Sequence, residues 1–209
     1  MQVTDFFQSS FPSNDLEYPW SILENIDSLF PSKGKIEIEI PEGVYLENKD
    51  LISIGKGTVI EPGAFIKGPC IIGKNCEVRH GAYIRGNVIA EDNCVIGHAT
   101  EIKNSIMQKG AKAAHFAYVG DCILGQGVNL GAGVKCANFR LDKSLIKVQS
   151  NGKVINTNLR KFGAIIGDDT QIGCNTVLSP GTIIGKNSYV YPCICIGGVF
   201  PEKSRIKGK

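Results

Sequence analysis

No stretch of this 209-residue chain stays apolar for long. Its hydrophobic runs fall well short of the ~20 residues that span a bilayer as a helix. The opening Met1–Phe7 is short and acidic-polar, without the charged-then-apolar order of an export signal. The cytoplasm is the expected location, with no membrane partner. Charge of one sign is lacking too. Twenty-three Lys and Arg against 20 Asp and Glu leave +3 at pH 7, too balanced to argue for a nucleic-acid partner. Cysteine occurs eight times but never as C-x-x-C; the tightest pair is Cys193-Ile-Cys195. Zinc sites need better-paired ligands than this. The expectation is of buried reduced thiols, with Cys76, Cys94 and Cys174 at small-residue positions and Cys70, Cys122 and Cys136 isolated. No metal is expected.

What the chain does have is a period of six. Aliphatic residues recur at Ile54, Ile60, Ile66, Ile72, Val78, Ile84, Ala90, Ile96 and Ile102. Small residues such as Thr58, Ala64 and Ala82 follow four places later. After one-residue deletions the frame resumes at Met107, Ala113 and Val119, then at Leu124 and Leu130. It is lost between about Cys136 and Ala164 and returns from Ile166 to Ile196. Neither a helix nor an alternating strand has this period. It marks an all-β fold, a left-handed parallel β-helix of hexapeptide repeats, in which each coil buries its aliphatic ladder on the next. The 25 glycines suit its tight corners.

Residues 1–35 read as a leader plus a helix. Phe6, Phe7 and Phe11 suggest that the leader docks. Pro19 followed by Ile22, Leu23, Ile26, Leu29 and Phe30 predicts an amphipathic helix, stopped by Pro31 and Gly34, that caps the first coil. Lys35–Ile40 alternates as a strand would. The β-helix is expected over residues 36–200. Within it an insertion at about 139–162 carries a hairpin, turning at Asn151-Gly152 and reaching outward over a ligand or a neighbouring subunit. Residues 201–209 read as a solvated basic tail.

His80, His98 and His115 are spaced by 18 and 17 residues, so they fall along one side of a triangular helix. His80 and His98 are expected as ordinary surface imidazoles. His115 has richer company, in Glu101–Ser105, Lys112–Asp121, Asn129–Gly133 and Cys136–Phe139. This segment resembles the acetyltransferase domain of the bifunctional sugar-1-phosphate acetyltransferase/nucleotidylyltransferases that make UDP-N-acetylglucosamine. The archaeal type is nearest. It shares Ala137–Asp142, the hairpin, Arg160–Asp168 and the Tyr18-Pro19-Trp20 segment, so the likeness runs from about residue 18 to 200.

The resemblance implies an N-acetyltransferase. Acetyl would pass from acetyl-CoA to the 2-amino group of glucosamine-1-phosphate or galactosamine-1-phosphate, with His115 as general base. Asn138 would orient the imidazole or the sugar. Lys103 and Tyr118 would hold the sugar phosphate, Arg85 would add a bidentate contact, and Asn129 and the hairpin's Lys147 would complete the substrate site. A homotrimer is implied, with clefts between adjacent solenoids. Phe139 replaces the tyrosine of the bacterial enzymes, and Ser144 stands where the archaeal type tends to have lysine. The Gly-x-Gly-Thr-Arg loop and the βαβ alternation of a nucleotidylyltransferase are missing, so no such activity is expected. The competing expectation is a non-catalytic scaffold or regulatory subunit that pairs with a separate nucleotidylyltransferase. A third is an acyltransferase with another amine acceptor, such as a UDP-linked amino sugar.

Overall fold

An inward aliphatic side chain at every sixth residue leaves water only if coils stack above and below it. The structure, a computed structural model that describes residues 6–7, 18–150 and 152–208, stacks them in three eight-stranded parallel sheets. The first face comprises Tyr45–Glu47, Phe65–Lys67, Tyr83–Ile84, Glu101–Lys103, Tyr118–Gly120, Lys135–Cys136, Val177–Leu178 and Cys195–Ile196. The second runs from Ile52–Ile54 through Ser105–Met107 to Val199–Phe200, and the third from Val59–Ile60 through Lys112–His115 to Arg205–Ile206. The hexad leaders form the buried core. A coil takes 18 residues where Ile66 meets Ile84 and Ile84 meets Ile102. Two successive coils take 17, so that Ile102 meets Val119 and Val119 meets Cys136.

Small side chains close the inner corners. Thr58 Oγ1 donates to Gly73 O at 2.7 Å and accepts from Cys76 N at 3.0 Å. Cys76 and Cys94 continue this position, their thiols donating to Glu91 O and Gln108 O at 3.1 and 3.2 Å. Cys70, Cys122 and Cys136 are also buried. Burial pushes the Cys70 and Cys122 thiols up, which leaves them unreactive. Cys174 departs from expectation. It lies exposed, as do Cys193 at a left-handed corner and Cys195 on a strand of the first face.

A second ladder runs outside the second face. Ile71, Ile89, Ile106, Ile123, Ile165 and Ile183 stand in register, each one residue before an inward-pointing leader. The last four are fully buried. They lie beneath Phe6, Phe7, Trp20, Ile22, Leu23 and Ile26 from one side and Ile146, Val148 and Phe162 from the other. Trp20 is sandwiched between Tyr18 and Phe162, with ring centroids at 4.7 and 5.9 Å.

This ladder explains several departures. Residues 18–30 form two short 3-10 helices, Pro19–Leu23 and Ile26–Leu29, rather than one α-helix. They lie along the flank, where their apolar residues meet the outer isoleucines, and do not cap the first coil. That end is closed by Ile36, Ile38 and Ile40, which pack on the core. They do so from an extended segment with one bridge, Ile36 to Ile54, instead of a strand. The hairpin pairs Lys147–Ser150 with Lys153–Asn156 and folds back on its own second face through Ile146 and Val148. Gly152 supplies a positive φ in its turn; Asn151, like Phe11, lies outside the described residues. The solenoid also continues past residue 200. Arg205–Ile206 pairs with Tyr189–Val190 and Ile206 is buried, so residues 201–206 are another partial coil and not a free tail. No helix among the described residues is long and apolar enough to cross a membrane.

Candidate active site

Each coil leaves the third face through a left-handed residue, Gly81, Ala99, Phe116 and Gly133 in turn. The residues just before it align as a column through His80, His98, His115, Ala132 and Cys174. His80 Nδ1 lies 2.6 Å from Pro62 O and His98 Nδ1 2.8 Å from His80 O. Because a carbonyl only accepts, Nδ1 carries the proton in both. Their rings stack at 5.6 Å, and Phe116 meets His98 edge-on at 5.2 Å. His115 breaks this pattern. The His98 carbonyl accepts the Phe116 N–H at 2.9 Å just as the His80 carbonyl accepts the Ala99 N–H at 3.3 Å, yet among the described residues the His115 ring nitrogens have no hydrogen-bond partner. The imidazole is exposed.

Downstream of that corner, the first face presents a column of cations on its outer surface. Lys67, Arg85 and Lys103 occupy equivalent places in successive coils and pair with Glu47, Glu101 and Asp121, each at 2.6 Å. The first two pairs are exposed and contribute little to stability. The third is mostly buried, at 16% and 6% side-chain exposure. One coil further on, the column reaches Gly120, which pairs with Lys103. A Cβ there would stand 2.6 Å from Tyr118 Oη and 2.7 Å from Asn138 Nδ2, so the missing side chain is what lets these two groups converge. Asp121 then turns the corner at φ +54°. Its carboxylate accepts from Lys103 Nζ, from Asn104 Nδ2 at 3.0 Å and, by a short bond, from Asn138 Nδ2. Asn104 Nδ2 also reaches Leu23 O at 3.4 Å, tying the cluster to the N-terminal segment. Burial pushes the Tyr118 phenol up, with Asp121 and Glu101 adding to it, while the hydrogen bond from Asn138 pulls it down.

The structure thus brings Lys103, Tyr118 and Asn138 into one cluster, with Arg85 one coil away. His115 opens the same coil, three residues before Tyr118. Asn129 is not close by. It sits on the third face opposite Lys112, which is three residues, or about 10 Å, before the His115 level. Lys147 is exposed on the hairpin and makes no side-chain bond among the described residues. Asp121 and Gly120 had no role in the sequence-based expectation. Coil arithmetic was the available signal, since Asp121 lies 18 residues after Lys103 and 17 before Asn138.

Beside the histidine column the third face carries a strip of small residues. Gly97, Ala114, Gly131 and Gly173 align, and a Cβ at Gly131 or Gly173 would strike the backbone of the following coil. The strip ends at Tyr191 and its neighbour Tyr189, under the cations of Lys207 and Arg205 at 5.2 and 5.6 Å. Among the described residues, no three His, Cys, Asp or Glu side chains converge on a metal site.

Comparison with known proteins gives the following. The family model described as the GMPPB C-terminal domain matches residues 66–159. A bifunctional protein GlmU of Methanococcus maripaludis is 45% identical over 189 residues, covering 85% of this chain and 43% of the relative. The corresponding protein of Methanococcus aeolicus is 36% identical over 178 residues, with the same coverage. A bifunctional sugar-1-phosphate nucleotidylyltransferase/acetyltransferase of Sulfurisphaera tokodaii is 41% identical over 88 residues, 42% of this chain and 22% of the relative. The acetyltransferase domain of PglB from Neisseria gonorrhoeae aligns over 87% of this chain and 58% of its own, at 16% identity and a TM-score of 0.36. The chain spans less than half the length of each of these three curated relatives.

Proposed function

We propose that this chain, a hexapeptide-repeat protein homologous to the C-terminal, acetyltransferase-like part of the bifunctional sugar-1-phosphate nucleotidylyltransferase/acetyltransferases, is an amino-sugar-1-phosphate N-acetyltransferase. Acetyl-CoA is the donor, and glucosamine-1-phosphate or galactosamine-1-phosphate the acceptor. The observation that carries this reading is the contrast among the histidines: two are tied to backbone carbonyls, whereas the His115 ring nitrogens, on an exposed corner, have no partner among the described residues. As the acceptor amine attacks the thioester carbonyl, the imidazole takes a proton from the amine nitrogen. Collapse of the tetrahedral adduct breaks the C–S bond, and the CoA thiolate leaves with the proton returned by the imidazolium. Tyr118, Lys103 and Arg85 receive the sugar phosphate, and Asn138 holds the sugar. In this role Lys103 and Arg85 exchange part of their pairing with Asp121 and Glu101 for phosphate oxygens.

The small-residue strip supports acetyl-CoA as donor. It runs from the His115 coil toward Tyr191 and Lys207, four coil spacings or roughly 19 Å along the axis, giving an extended pantetheine arm a smooth bed. Arg205 and Lys207 at its end suit the nucleotide phosphates. Asn129 and Lys147 enter the site from an adjacent subunit of a trimer, which accounts for their distance from the cluster within one chain. The competing reading, a non-catalytic subunit that pairs with a separate nucleotidylyltransferase, draws on one observation: both phosphate-binding cations are already neutralised by carboxylates.

Release of free thiol from acetyl-CoA with each sugar phosphate separates the two. Turnover with at least one acceptor is expected, lowered more than ~100-fold in His115→Ala. Turnover that survives the substitution removes His115 as the base. No turnover with either sugar and no CoA binding gives the decision to the non-catalytic reading.

A further inference from the structure

We infer that Asp121 is the positioning residue of this site, setting which groups of the Lys103–Tyr118–Asn138 cluster donate and which accept. A left-handed corner does not itself require a carboxylate. Asn104 occupies the equivalent corner one coil earlier at φ +44°, so an asparagine at 121 would satisfy the backbone equally well. Aspartate at this step places a charge between two amides, Asn104 and Asn138, and next to an ammonium. It is nearly buried, at 5% exposure, and a buried carboxylate persists only when well paired. Here three donors supply that pairing.

A carboxylate accepts and cannot donate, whereas an amide has one end of each kind. Asp121 therefore obliges Asn138 to present Nδ2, which leaves Oδ1 as an acceptor for a ligand. The same Nδ2 lies beside Tyr118 Oη over Gly120. Next to that donor the phenol oxygen is placed to accept, which leaves its own O–H to donate outward. Asp121 also holds Lys103 at 2.6 Å, so the ammonium rests at a fixed point before any anion arrives. Through Asn104 and Leu23 O the arrangement is braced against the N-terminal segment. In kinetic terms the inference rests on the acetyltransferase reading; in structural terms it stands on the geometry alone.

Asp121→Asn is the direct test, because it keeps the size and the left-handed preference but restores a group that can point either way. The Asn138 side-chain amide, assigned in a 15N spectrum by its loss in Asn138→Ala, is expected to exchange slowly in the parent chain. In Asp121→Asn it is expected to exchange at least tenfold faster, in a chain that stays folded. Turnover should fall by about tenfold to a hundredfold, the usual effect of removing a group that orients functional side chains. The KM for the sugar phosphate should not rise in step, since Lys103 has lost its competing partner. Unchanged Asn138 exchange, or a folded variant with parental kcat and KM, would overturn the inference. Asn138→Asp reads the contact from the other side. Two facing carboxylates should lower turnover more than Asn138→Ala does, and the opposite order would also overturn it. If the parent chain acetylates neither acceptor, the functional reading fails while amide exchange still decides the role of Asp121.

Discussion

The outer surfaces of the first and second faces are made by the same strands-and-corners arithmetic, yet they solve opposite problems. On the second face the outward positions are isoleucines, and the chain uses its own N-terminal segment and hairpin base to cover them. On the first face the outward positions are Lys67, Arg85, Lys103, Tyr83 and Tyr118, each left at least partly open to solvent and steadied by pairing. One flank is sealed by the chain's own segments; the other stays open to solvent. A solenoid face is therefore not structural or functional by position. Its outward residues decide.

The sharpest way to break that contrast is at the seal. Phe162→Ala removes a fully buried ring that touches Trp20 and the hairpin base. It should cost about 3–5 kcal/mol in a denaturant titration; a loss below about 1 kcal/mol would mean that the second-face cluster is ornamental. Gly120→Ala reads the other face. The backbone there tolerates alanine, but the methyl displaces Tyr118 and Asn138, so turnover should drop about tenfold or more, with a stability loss of about 1–3 kcal/mol because the buried Asp121 carboxylate loses a donor. Thiol labelling sharpens the comparison without mutation. Cys174, Cys193 and Cys195 are expected to react promptly with a chromogenic disulfide, and the five buried thiols only as the chain unfolds. Smallest is Ile71→Ser, on the outer isoleucine ladder but beyond the reach of the covering segment. It should change stability by no more than about 1 kcal/mol, and a larger loss would show that this end of the ladder is covered as well.

The sequence was most readable where one residue type repeats at a fixed interval. The hexad leaders announce the solenoid, and the break near Cys136 announces the hairpin. The outer ladder also lies in plain view, in pairs such as Ile71-Ile72, Ile165-Ile166 and Ile183-Ile184. It is hidden because a doublet reads as one strand rather than as two ladders facing opposite ways. For the same reason Ile22, Leu23, Ile26, Leu29 and Phe30 read as the face of an end cap: their apolar character is evident in the sequence, but the surface that receives them is not. At the site, Lys103, Tyr118 and Asn138 come together in the structure, while Asp121 carries no motif and emerges only when coils of 17 and 18 residues are superposed. Asn129 and Lys147 lie apart from that cluster, on the third face and on the hairpin.

Coils of a solenoid touch only their neighbours, which allows such a chain to unzip from either end, one rung at a time. The segment from Trp20 to Ile26 and Phe162 together press on Ile106, Ile123, Ile165 and Ile183, four consecutive rungs. Those rungs are laced together and cannot be released singly. Among the described residues, the coils before Ile89 have no such lacing. The molecule is thus a ladder with a splint along its middle, and the candidate site, on the neighbouring face of the splinted rungs, is tied to that splint through Asn104 and Leu23 O.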